Sequence, residues 1–278
     1  MCYFAGVIVS ANGFGYLSDL LLPESPRWLV QQGRLAEADA LLRTIAIGNK
    51  TVIPNKFQVN TKMDPVQAGK MCDLFTNRVL LFRTLIIFFN WIGISMGYYG
   101  LSLSTHNLSG NFYLNFILSG ITEFIAYTLC LVFLDRVGRK KFHASCVIIG
   151  GFACLSTIFT MLYAEESLQP ITVALSMFGK TGIAASFACI YVWAAELYPT
   201  VVRNTGIGIG CSFGNIGAMI SPYIADINKL ITGNLGRALP FVIFGSLSIL
   251  AGILSLWLPE TLNHNLPETI EDGIHFGR

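Results

Sequence analysis

Charge is what this chain most lacks. Asp, Glu, Lys and Arg make up 12% of its 278 residues, about half the ~25% usual in soluble domains. Hydrophobic residues make up 53%, and the mean hydropathy is +0.60. A soluble fold of this size could not cover that much apolar surface. The composition implies an integral membrane protein and excludes disordered, collagen-like and nucleic-acid-binding chains. The net charge of +2 is too small to imply a polyanionic partner. The cysteines form no framework: Cys130, Cys146, Cys154, Cys189 and Cys211 sit inside apolar runs, Cys2 and Cys72 stand alone, and no CxxC pair occurs. Disulfide and zinc readings are therefore weak, and the thiols read as reduced, small apolar residues. There is no HExxH, no Ser/His/Asp set and no paired carboxylate, while His106, His143, His264 and His275 are scattered near the ends of apolar runs. No catalytic, metal or cofactor site is expected.

Long apolar runs are what the chain has in plenty. A hydrocarbon core of ~30 Å takes about 20 residues of helix. Six runs reach that length: 84–104, 112–134, 142–163, 171–195, 205–225 and 238–258. A seventh, 1–22, is interrupted by Asn12 and by Asp19 near its end. The short hydrophilic connectors predict antiparallel hairpins, hence an all-α polytopic bundle in the lipid bilayer. Lys and Arg assign the sides. Nine lie in 23–83 and four in 135–141, with Arg203 and Arg278 on the same side; only Lys229 and Arg237 lie in the opposite connectors. This predicts that 23–83 and the tail 259–278 are cytoplasmic. Within 23–83, Gly33–Ile45 and Lys70–Leu81 carry apolar residues at helical spacing and read as interfacial helices, joined by a polar link, 48–65. That orientation sets Met1 outside with no cleavable signal before it. Either earlier spans are missing, or Met1 is a true start and 1–22 inserts N-out.

Three phrases stand out. Leu22-Pro23-Glu24-Ser25 follows the first run and Leu258-Pro259-Glu260-Thr261 the last. In each, Pro stops a helix and Glu meets the water interface, and the repetition suggests homologous halves. Asp135-Arg136-Val137-Gly138-Arg139-Lys140-Lys141 is a tight basic turn in which Gly138 supplies the backbone freedom. Charge alone fits a positive-inside clip about as well as a functional turn. Ala195-Glu196-Leu197-Tyr198-Pro199-Thr200-Val201-Val202-Arg203-Asn204 brackets a Pro-containing turn, in which Glu196 pairs with Arg203 or with Arg139.

Taken together, in this order and spacing, the phrases resemble the major facilitator superfamily, in its organic cation, organic anion and carnitine transporter branch. Gly97-Tyr98-Tyr99-Gly100-Leu101-Ser102-Leu103 and Leu266-Pro267-Glu268-Thr269-Ile270 look most like the carnitine subgroup. Leu131 departs from the pattern, standing where the turn motif usually begins with Gly; looser helix packing is expected there. The resemblance implies a major-facilitator-type C-terminal six-helix bundle plus one preceding transmembrane helix. In such a carrier a missing N-terminal bundle supplies the other wall of the binding site, and the plasma membrane is the expected location. It also implies a gate built from Asp135, Arg136, Gly138, Arg139, Glu196 and Arg203.

Charges deep in spans are costly and usually functional. Glu123 shares a helical face with Ser119, Tyr127 and Cys130; Lys180 shares one with Ala184, Phe187 and Tyr191. The two pair structurally across neighbouring helices, or line a cavity and meet solute. Trp91, Ser95, Tyr98 and Ser102 form one stripe, either packing or binding. By the resemblance, Trp91 and Tyr98 fall on cavity-lining positions, and aromatic faces suit quaternary ammonium groups. Gly206, Gly210 and Gly214 recur at four-residue spacing, which lets helix backbones approach closely. Asn215 stands where the cation branch tends to carry Asp and the anion and carnitine branches Arg, so that selector is neutral. With Glu123 as the remaining deep acid, the expected solute is a small organic cation or a carnitine-like zwitterion. Two other readings stay open. One is a truncated, non-transporting half-carrier. The other is a sugar transporter of the same superfamily, against which counts the lack of any Gln between Thr84 and Ser104.

Overall fold

The computed structural model describes residues 23–31, 33–52, 72–105, 108, 110–163, 169–231 and 233–277. The run 1–22, most of the link 48–65, and Lys70 and Met71 lie outside them. The chain divides into two units, Met1–Gln67 and Ala68–Arg278. In the first, α1 (Pro26–Gln31) opens on a proline, the residue whose missing N–H costs a helix least at that position, and packs against α2 (Leu35–Gly48). The side of α2 that carries Ala38 and Ala46 is buried; Arg34 binds Glu37 at 2.6 Å and Arg43 binds Asp39 at 2.8 Å on its exposed side.

In the second unit, the helix expected over 70–81 is broken. A short α3 (Asp73–Thr76) ends where Asn77 turns extended (φ −99°, ψ 132°). The Asn77 side chain accepts from the Val79 N–H, a helix cap, and α4 (Arg78–Ser104) begins at once. The first long helix therefore starts at Arg78 rather than 84. Then follow α5 (Phe112–Val137), α6 (Arg139–Tyr163), α7 (Gln169–Leu197), α8 (Arg203–Ala225) and α9 (Asn234–Ser255). All six are long and apolar enough to cross a membrane. Most outrun their apolar stretches because polar residues continue the helix at the ends.

Contacts run along a row α5–α7–α4–α8, while α6 packs on α7, α9 packs on α4, and α6 and α9 pack on each other. Small residues set the closest approaches. A Cβ at Gly182 on α7 would stand 2.5 Å from the Cys146 carbonyl on α6, and one at Gly217 on α8 would stand 2.4 Å from the Ile92 carbonyl on α4. The buried Gly206, Gly210 and Gly214 continue the α8 stripe. Leu131 is 82% exposed, so it touches little in the bundle.

The segment after α9 is folded onto the bundle rather than hanging free. Its helix α10 (Ile270–His275) starts with a capping box of Thr269 and Asp272. Arg83 of α4 donates to the carbonyls of Gly273 (2.7 Å) and Phe276 (2.6 Å), and Thr200 N–H donates to the Pro267 carbonyl.

Candidate functional site

Midway along the bundle, α4, α5 and α7 bring together the two deep charges and the aromatic stripe. The Lys180 ammonium of α7, 3% exposed, binds the Glu123 carboxylate of α5 at 2.7 Å and also donates to the Ser119 hydroxyl. It stands 5.8 Å from the ring centre of Tyr98 on α4. The Tyr98 ring stacks on Phe187 (5.0 Å between centres, 10° between planes), and Tyr191 meets Trp91 edge-on at 4.5 Å. Helical periodicity explains the assembly: Lys180, Ala184, Phe187 and Tyr191 share one face of α7, and Ser119, Glu123 and Tyr127 one face of α5.

The sequence-predicted members are not equally accessible. Glu123 is 29% exposed at its side chain, Tyr98 is half-buried, and Tyr127, Tyr191 and Asn215 are exposed. Trp91 is 1% exposed. It is closed in by Tyr191, by Phe187 and by α8, where a Cβ on Gly210 would come within 2.7 Å of its indole nitrogen. Trp91 thus backs the aromatic wall from behind, and Tyr191 and Phe187 stand in front of it. Ser95 is buried against Gly214, and Ser102 donates to the Tyr98 carbonyl. Asn215 is exposed on α8 and, among the described residues, makes no hydrogen bond to the Lys180–Glu123 pair. The pairing alters the expectation built on Glu123: the acid does not stand as a bare negative charge but is neutralised by Lys180.

A second cluster forms at the end of the bundle where α5 turns into α6. The Arg139 guanidinium binds Glu196 at the end of α7 (2.9 Å) and Asp135 one turn back (3.0 Å); Arg139 and Glu196 are largely buried, whereas Asp135 is 77% exposed. Glu196 pairs with Arg139, not with Arg203, which instead donates from Nε to the Tyr198 carbonyl. Arg136 is exposed in the last turn of α5. Gly138 takes φ +97°, and a Cβ there would lie 2.5 Å from Glu260.

Two residues in this cluster were not singled out from the sequence for a site. Glu260, read as a helix-exit residue at the water interface, instead reaches back to accept the N–H of Arg139 (2.8 Å), Lys140, Thr261 and Leu262. It caps α6, where negative charge suits a helix start. Burial is the largest single influence on it and works against the charged form, but the four backbone N–H groups together outweigh burial and hold the carboxyl below its ordinary value. Thr261 donates its hydroxyl to Glu196 at 2.5 Å, tying the segment after α9 into the ion-pair cluster. The repeated Leu-Pro-Glu-Ser/Thr phrase was the signal available. His143, placed by the sequence near a span end, is buried, with Nε2 3.1 Å from Asn90 Oδ1.

Among known proteins, residues 2–272 match the family model described as Sugar (and other) transporter. The chain is 40% identical over 270 residues to the Organic cation transporter protein of Drosophila melanogaster, covering 93% of this chain and 48% of that protein. It is 41% identical to Solute carrier family 22 member 15-like of Xenopus tropicalis (96% and 54% covered) and 36% identical to Organic cation/carnitine transporter 2 of Homo sapiens (90% and 44% covered). The chain thus spans about half the length of these relatives. Among solved structures it is similar to the proton:xylose symporter XylE bound to 6-bromo-6-deoxy-D-glucose, with a TM-score of 0.64 over 99% of this chain and 58% of that one at 19% identity. That likeness concerns the fold.

Proposed function

The chain belongs to the sugar (and other) transporter family of the major facilitator superfamily, a family of multi-pass membrane transporters, and from that membership we propose that its six-helix bundle is one wall of a carrier for small organic cations or zwitterions, with a carnitine-like betaine as the preferred solute. The observation that carries this reading is the Lys180–Glu123 pair beneath Tyr98 and Phe187. A site meant for a simple cation would leave its acid uncompensated. Here acid and base neutralise each other, so the site matches a solute that carries both charges. The quaternary ammonium lies on the aromatic faces of Tyr98 and Tyr191, to which the ring quadrupole draws it, and the carboxylate competes for Lys180. Trp91 supports that wall, and Asn215 on α8 adds no charge.

Transport then follows alternating access against an opposing bundle. The positive-inside distribution sets the Arg139 end, with 259–278, at the cytoplasm. There Asp135, Arg136, Gly138, Arg139, Glu196 and Arg203 act as the inner gate. The ion pairs of Arg139 hold α5, α6 and α7 together when the cytoplasmic end is shut, and their breaking opens it. The relatives named for organic cation and carnitine transport support the solute class.

The test is uptake of radiolabelled carnitine, a tetraalkylammonium ion and glucose by cells making the chain by itself, or joined behind the N-terminal half of Organic cation/carnitine transporter 2. Carnitine uptake by the joined protein, abolished by Glu123→Gln, is the expected result. Preference for glucose would return the sugar reading, and no uptake in either form would leave a non-transporting half-carrier.

A further inference from the structure

A cavity of about 620 Å³ lies between the first halves of α5 and α7. Its α5 wall includes Leu118, Ile121 and Ile125, and its α7 wall Val173, Ala174 and Met177. Ile121 and Ile125 each stand two residues before Glu123 and Tyr127, which at 3.6 residues per turn is about 200° round the helix. On α5 the cavity therefore lies on the other side of the helix from Glu123 and Tyr127, beside the exposed apolar side chains of Leu114, Ile121 and Ile125, while on α7 Val173 and Met177 stand two turns and one turn before Lys180 on its own face.

Its polarity is graded. At the end where both helices begin, it is lined by Asn111, Asn115 and Gln169; deeper in, the walls are aliphatic except for Thr122, whose hydroxyl is already donated to the Ser119 carbonyl. Asn111 uses its carbonyl oxygen to cap α5, accepting from the N–H groups of Tyr113 and Leu114, so what it has left to offer a guest is an NH2 donor. Asn111 to Ile125 is 14 steps of ~1.5 Å, about 21 Å, enough to reach from the interface through one leaflet of a ~30 Å core. Among the described residues, no charged side chain lines the cavity. A phospholipid seated here would bring its phosphate to neutral amides, with no cation among the described lining residues to meet it, whereas a single hydroxyl is served by Asn111 and Gln169. Cavities of this size with mostly apolar walls and a few placed polar groups are the usual form of a small-molecule site.

We infer that this crevice is a binding site for a sterol, its hydroxyl held by Asn111 and Gln169 and its rings packed between Leu118, Ile125, Val173 and Met177. The site is independent of the solute reading, since it shares no residue with the Lys180–Glu123 pair or the aromatic wall.

The chain, purified and placed in phosphatidylcholine nanodiscs, is irradiated with a photoreactive cholesterol analogue, and the labelled peptides are mapped by mass spectrometry. Label is expected on 111–125 and 169–177, displaced by excess cholesterol but not by added phosphatidylglycerol. Ala174→Trp, which fills the crevice, is expected to cut that labelling about tenfold. Gln169→Leu, which removes the polar end without adding bulk to the crevice floor, is expected to cut it as well. Label spread evenly over all six helices, labelling that survives both substitutions, or displacement by phosphatidylglycerol as readily as by cholesterol would each overturn the assignment. Solute uptake plays no part in these readouts, so they stand or fall apart from the transport proposal.

Discussion

At Lys180 a charge deep in the bundle is met from two neighbouring helices: Glu123 and Ser119 on α5, and the Tyr98 ring on α4. Removing one member of such a pair costs more than removing both, because the survivor is a desolvated charge with no counterion. Glu123→Gln is expected to lower stability by roughly 3 kcal/mol, read as thermal unfolding of the detergent-purified protein. Adding Lys180→Met on that background is expected to recover part of the loss, a coupling that a double-mutant cycle measures. A double variant no more stable than Glu123→Gln would mean that the pair is not the unit. Both residues are legible in the sequence as the deep charges, and their helical faces follow from spacing. Their meeting is not, since it depends on how α5 and α7 are rotated about their axes. The same holds for Glu196, for which the sequence leaves both Arg139 and Arg203 open and the fold selects Arg139.

Between helices, the decisive feature is how near the backbones come. Gly182 brings α7 within reach of the Cys146 carbonyl of α6, and a side chain there has only backbone to push against. Overpacking a tight contact costs about 1–3 kcal/mol. Gly182→Leu is therefore expected to lower the unfolding temperature and the monodisperse yield. Gly208→Leu, at a position where a Cβ meets nothing within 4 Å, is expected to leave both unchanged. Equal behaviour of the two variants would refute the argument. The α8 stripe of Gly206, Gly210 and Gly214 is readable at four-residue spacing, but the α6–α7 contact is not. Its glycines, Gly150, Gly179 and Gly182, are divided between two helices, so no period within either one announces them. Helix ends fared differently again. The onset at Arg78 turns on the Asn77 side chain accepting from Val79, a single cap that overrides the apolar pattern continuing on both sides of it.

For the molecule as a whole, the ion-pair cluster at the α5–α6 turn gathers three segments far apart in the chain: Arg139, Glu196, and Glu260 with Thr261. If that end opens and closes during transport, its pairs are made in one state and broken in another, so weakening them changes the rate of interconversion more than the affinity of a site elsewhere. In a transport-competent carrier containing this bundle, Arg139→Ala is expected to lower kcat by about tenfold, one step of ~1.4 kcal/mol, with KM nearly unchanged at normal surface expression. A raised KM with kcat intact would assign Arg139 to solute binding instead. The six long apolar helices found among the described residues, their approximate limits, the basic turn and the family likeness were all legible in the amino-acid order. Hydropathy and charge are local quantities that add up along a chain, and a membrane reads them directly. Tertiary structure alone decided that Lys180 neutralises Glu123 across 57 residues, that Arg139 takes Glu196 across another 57, and that Glu260 caps α6 from 121 residues away. Those pairings depend on the rotation and tilt of packed helices, which are set by every contact at once and written at no single position.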